Sequence, residues 1–138
     1  MGKEKVVLDT NILVSAFGWC GKPRAIFERI LNGEFELVVC REQLQELARV
    51  LAYPKFKFDE EQRLRFMAIV YSVATVTDIS GSVRVVQDDP DDDAILESAI
   101  VSGSDFLVSG DEHLLELGEF ENVRILTASE FLELVDDS

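Results

Sequence analysis

Positive charge is scarce in the second half of this sequence. Residues 66–138 carry only Arg84 and Arg124 against 17 Asp/Glu, whereas residues 1–65 set 11 Lys/Arg against 10 Asp/Glu, and the formal net charge is −14. Such a surface repels phosphates, so a nucleic-acid ligand would have to be met with the help of cations that are not side chains. Divalent metals are the mobile candidates. Cysteine is nearly lacking: Cys20 and Cys40 make no metal or redox spacing and read as free thiols of a cytoplasmic protein. No apolar run approaches the roughly 18 residues of a membrane-spanning helix, and MGKEKVVLD meets an Asp too early for a secretory leader, so no membrane association is expected. There is also no low-complexity tract, repeat or long linker. Residues 1–138 are therefore expected to form a single domain with its own core.

What is present alternates. Strand-like runs occur at 5–9 (KVVLD), 35–40 (FELVVC), 106–111 (FLVSGD) and 123–128 (VRILTA), with a weaker candidate within 74–88. Helix-like runs are NILVSAFG, PRAIFERILNG, EQLQELARVLA, DEEQRLRFMAIVYSVA, DDAILESAIVSG, EHLLELG and SEFLELVDD. Unalternated Val/Ile/Leu strands need cover on both faces, and strands alternating with helices predict an α/β three-layer sandwich with a central parallel sheet. Sheets of this kind place their sites at the carboxyl ends of the strands, by the topological switch point.

Three segments share the pattern Asp-x-x-apolar-apolar: DTNIL (9–13), DDAIL (92–96) and DEHLL (111–115). Positions i+3 and i+4 share a helix face with i, so Asp9, Asp92 and Asp111 each head an inward stripe. For any one of them helix capping is a sufficient explanation. Three at successive strand-to-helix junctions should converge on one edge, where like charges raise each other's pKa and a cation relieves the repulsion. Oxygen ligands without His or Cys favour Mg²⁺ or Mn²⁺ over zinc. In QDDPDDDAI, Asp92 is the expected ligand and Asp91 the reserve. Asp88 and Asp89 fall in the loop before Pro90, and Asp93 aligns with Glu97 on a wetter face; these are expected to be solvated or capping.

The stretches VVLDTNILVSAF, LQELARVLAYPKF and DDPDDDAILESAIVSGSDFLVSGDEHLL, with the loop Gly18–Gly21, resemble the PIN domain, the nuclease fold of VapC-type toxins. The resemblance spans most of the chain in the expected order. It implies that Asp9, Glu46, Asp92 and Asp111 form the acidic catalytic set. Asp9, Asp92 and Asp111 would hold Mg²⁺ or Mn²⁺, Glu46 would bind or orient the attacking water, and Asn11 and Ser109 would support the cluster. It further implies hydrolysis of single-stranded RNA, a toxin-antitoxin pairing with a small antitoxin protein, and dimerisation.

Periodicity alone places Glu46 off its helix's apolar stripe of Leu44, Leu47, Ala48 and Leu51, as a surface residue; the resemblance places it at the site. His113 stands where many PIN relatives have an Asp, and reads either as a modifier of the site or as an exposed first-turn residue. Substrate contacts are expected from Lys22 and Arg24 after the glycine loop, and from Lys55 and Lys57. YPKFKF (53–58) interleaves aromatic and basic side chains as single-strand binding surfaces do, or else is a helix-ending turn with core phenylalanines.

Other readings are kept open. The chain could be a PIN nuclease processing RNA without an antitoxin, or a non-catalytic interaction module whose acids cap helices. An Asp-nucleophile phosphatase or receiver domain is disfavoured: Asn11 stands where such a phosphatase needs a second Asp, and no Lys follows Lys57.

Overall fold

The computed structural model describes residues 2–86 and 89–136. Asp88 and the end of the acidic tail lie outside the described residues. Six strands form one sheet in the order β3-β2-β1-β4-β6-β5: β1 (Lys5–Leu8), β2 (Glu36–Cys40), β3 (Ala74–Thr77), β4 (Phe106–Val108), β5 (Glu119–Phe120) and β6 (Val123–Leu126). All neighbours pair in parallel except β5 with β6, which close a hairpin through Glu121 and Asn122, both at positive φ. Positive φ at both central residues matches the right-handed strand twist. β5 was not expected; two residues are too few to show a period. Of the weak candidate within 74–88, the described residues form β3 alone, and residues 87 and 88 lie outside them.

The helices are α1 (Thr10–Gly18), α2 (Lys22–Leu31), α3 (Arg41–Leu51), α4 (Glu60–Val73), α5 (Pro90–Ser102), α6 (Glu112–Leu115) and α7 (Ala128–Asp136). Side chains alternate across the strands and divide the core in two. Val6, Leu8, Leu37, Val39, Phe106 and Val108 face α1–α4 and α7, while Val7, Val38, Leu107, Val123 and Ile125 face α5 and α6. The three-layer α/β sandwich follows, its sheet parallel but for one edge. No helix among the described residues is long and apolar enough to cross a membrane.

The chain leaves β1 for β2 on one side and returns much later as β4 on the other. The switch point therefore lies between β1 and β4, where Leu8 pairs with Val108 and the Asp9 amide donates to the Val108 carbonyl at 3.0 Å. That seam carries the site.

Candidate functional site

Asp9 follows β1 and caps α1. One carboxylate oxygen accepts the Ile12 amide at 2.8 Å and the other accepts the Ser109 hydroxyl. The side chain is buried, and burial pushes its pKa up against these bonds, with the Asp111 charge adding to the rise. Ser109, wholly buried at the end of β4, also accepts the Asp111 amide at 2.9 Å. Asp111 in turn caps α6 by accepting the amides of His113 and Leu114. One hydroxyl thus couples the first and last acids of the set.

Asp92 projects from the first turn of α5 and is buried, yet its Oδ2 has no hydrogen-bond partner among the described residues. Desolvation pushes its pKa up to about 8, with Asp89, Asp111 and Asp9 adding repulsion. A buried carboxylate oxygen lacking a partner is costly unless something outside the polypeptide meets it. Carboxylate oxygens of Asp89, Asp92 and Asp111 lie within 4.8 Å of one another, close enough to share one ion; Asp9, expected as a ligand, lines the same cleft but is not in that triplet. All donors are hard oxygens, so the set fits Mg²⁺ or Mn²⁺.

Asp89, expected to be solvated or capping, belongs to the acidic cluster. It does cap α5, accepting the Asp92 amide at 3.1 Å, but it also enters the cluster. The cue was its place three residues before Asp92, which puts both carboxylates at one helix terminus. Asp91 lines the same cleft, of about 160 Å³, but is exposed and held by Arg49 at 3.4 Å.

Glu46 is half-buried and reaches the cleft from the flank of α3, where the buried Thr10 hydroxyl donates to it. Burial raises its pKa despite that bond, and the Asp91 charge adds to the rise. Thr10 was not expected at the site. Asn11 is exposed at the cleft's mouth, one residue beyond the threonine that makes the supporting bond. His113 is exposed, its Nδ1 3.6 Å from Asp111 Oδ1.

None of the four basic residues expected to contact substrate lines the acidic cleft. Arg24 closes the end of α1, donating to the Ala16 and Phe17 carbonyls and to Cys20. Lys22 donates to Ser129 at 2.7 Å, and Lys55 sits 5.1 Å from the Phe56 ring centre. Lys57 is exposed, with φ of 57° at the end of a 3-10 turn over Pro54–Phe56. YPKFKF takes the form of a turn after α3, and Phe56 and Phe58 pack only partly against the core, so its aromatic and basic side chains stay at the surface.

Asp93 and Glu97 do not stand on the wetter face expected of them. Glu97 is buried and accepts amides from Ser80, Gly81 and Val83, while Asp93 accepts those of Val85 and Val86. Both pin the loop over residues 80–86, which covers the flank that periodicity assigned to solvent.

These features define a metal-compatible acidic cleft at the switch point of a parallel sheet. A family model for the PIN domain matches residues 5–113, and the chain belongs to the PIN-domain family, whose members are generally nucleases working with divalent metals. Among solved structures the fold is similar to VapBC2 from Rickettsia felis bound to a DNA fragment from its promoter. That match has TM-score 0.64 and 19% identity, covering 88% of this chain and 96% of that one. No curated protein matches the chain.

Proposed function

We propose that this protein is a cytoplasmic, metal-dependent endoribonuclease that hydrolyses phosphodiester bonds of single-stranded RNA, residues 1–138 acting as one unit. The observation that carries the reading is the Oδ2 of Asp92, which has no partner among the described residues and lies buried within reach of Asp89 and Asp111. Asp9, Asp92 and Asp111 would hold Mg²⁺ or Mn²⁺, and Asp89 joins them. The bound ion supplies charge to screen the scissile phosphate and lowers the pKa of a water.

The protein's own groups do the positioning. Ser109 holds Asp9 in place, and Thr10 holds Glu46. Glu46, its pKa raised by burial, is suited to accept a proton from the attacking water. Asn11 stands at the mouth, where substrate passes. Arg49, paired with Asp91 at the cleft, is a positive side chain close to the acids, and Lys22, Arg24, Lys55 and Lys57 would supply further ones to a strand that runs beyond it.

The similarity to a VapBC2 fold supports, as part of this proposal, a toxin paired with a small antitoxin protein. The exposed Leu64 and Tyr71 of α4 offer a face for a homodimer. The test is cleavage of single-stranded and structured RNA with Mn²⁺ or EDTA, beside Asp9→Asn. Cleavage by the wild type with metal alone is expected; cleavage that persists in Asp9→Asn would overturn the assignment. Binding of RNA without cleavage under any metal would instead favour a non-catalytic module.

A further inference from the structure

Segments 17–24 (FGWCGKPR) and 53–58 (YPKFKF) contain four basic and no acidic residues, in a chain of net charge −14. The fold brings them together. Phe17 packs edge-on to Phe58 at 5.4 Å, and Trp19 meets Phe56 and Phe58 at 5.8 and 6.0 Å. Tyr53, Phe56 and Phe58 are stacked, with interplanar angles of 6° and 19°. Gly18 permits the closure, because a Cβ there would lie 2.8 Å from the Phe58 ring.

The two outer rings are not covered: Trp19 is 50% and Tyr53 42% exposed. Lys55 sits over the Phe56 ring, and Lys57 is exposed beside it. α1 leads from the acids to this patch, with Asp9 capping its start and Trp19 its end, ten residues and about 15 Å on. α3 runs likewise, from the level of Glu46 to Tyr53. Aromatic faces interleaved with cations suit stacked bases and their phosphates, and a purely apolar partner would leave the lysines unmatched.

We infer that Trp19 and Tyr53, with Lys55 and Lys57, form a base-stacking subsite for single-stranded nucleic acid flanking the bond cut at the acids. The inference rests on the nuclease reading for the identity of its ligand class. Its effect is on binding of strands long enough to run the length of α1, not on chemistry, because Trp19 stands at the other end of that helix from Asp9.

Trp19 is the only tryptophan, so its fluorescence reports the patch directly. A 12-nucleotide oligouridine titrated in EDTA should quench it saturably, and less so as salt rises. Tyr53→Ala and Lys55→Gln should each weaken that binding, Tyr53→Ala by about tenfold, with Tyr53→Phe restoring it. In Mn²⁺, Tyr53→Ala should raise KM for the 12-mer and leave kcat and dinucleotide hydrolysis unchanged.

Absent quenching, or affinity unchanged in Tyr53→Ala, overturns the subsite. So does equal quenching by polyglutamate, which would mark a protein-facing surface. Quenching in EDTA without cleavage in Mn²⁺ would remove the nuclease reading and leave the stacking site standing. Cleavage with KM unmoved by Tyr53→Ala would do the reverse.

Discussion

The Ser109 hydroxyl donates its proton to the Asp9 carboxylate while accepting the backbone amide of Asp111. Because Ser109 is completely buried, no water can replace it without rearrangement. Its bond favours the charged form of Asp9, the form a metal needs. Ser109→Ala is expected to weaken Mn²⁺ affinity by about 10-fold or more, the usual effect of losing a partner of a metal ligand. Calorimetric titration checks it; unchanged affinity would make Ser109 a packing residue only.

Asp9→Asn should be more stable than the wild type in EDTA, because it removes one charge from a self-repelling cluster while keeping a side-chain oxygen for the Ile12 amide. Millimolar Mn²⁺ should raise the wild-type Tm through binding to the native state and raise that of the variant much less. Thermal melts of both proteins decide this. Equal shifts would place the ion away from Asp9.

The pH dependence without metal should run opposite to that of an ordinary ion-paired acid. The Asp92 pKa is pushed up to about 8 in the fold, and those of Asp9 and Glu46 are also raised, whereas an unfolded Asp has a pKa of about 4. Between those values the native state holds more protons than the unfolded one, so stability falls as pH rises. In EDTA, Tm should drop from pH 5 to pH 8, and Asp92→Asn should flatten the curve. With Mn²⁺ the fall should shrink, since binding favours the deprotonated carboxylates. A flat wild-type curve in EDTA would contradict the buried cluster.

Glu97 should behave in the opposite sense. Burial opposes its charge, but amides from Ser80, Val83 and Gly81, with the Ser80 hydroxyl, pull its pKa below the ordinary value. Its stabilisation is present above the unfolded pKa and is lost as pH falls through the folded one. Glu97→Gln should cost about 2 kcal/mol at neutral pH and little in acid, and should speed hydrogen exchange at Ser80, Gly81 and Val83. Exchange rates unchanged at those amides would show that the loop is held by other contacts.

Much of this was legible in the chain. VVL, LVV and FLV are apolar without alternation because both sheet faces are covered, and each strand is found where such a run stands. Pro23 and Gly33 bracket α2 because proline suits a first turn and glycine the positive φ after the last one. The stripe Ile12, Leu13, Ala16 and the stripe Ile95, Leu96, Ala99 are buried, and their leading aspartates, with Asp111, line one cleft. A period of 3.6 carries that much, since it reports which side of a helix faces its own sheet.

What a neighbouring element brings to a helix's other side has no period. Glu46 looked external because its stripe lies elsewhere, and only the approach of α1 supplies the Thr10 hydroxyl that turns it toward the cleft. Glu97 looked wet until the loop over 80–86 folded onto it. Asp89 read as a cap, and became part of the cluster once β4 delivered Asp111. Local pattern decides what an element buries against its own sheet; the packing of distant segments decides which charges must share a space, because that repulsion exists only after the chain has closed.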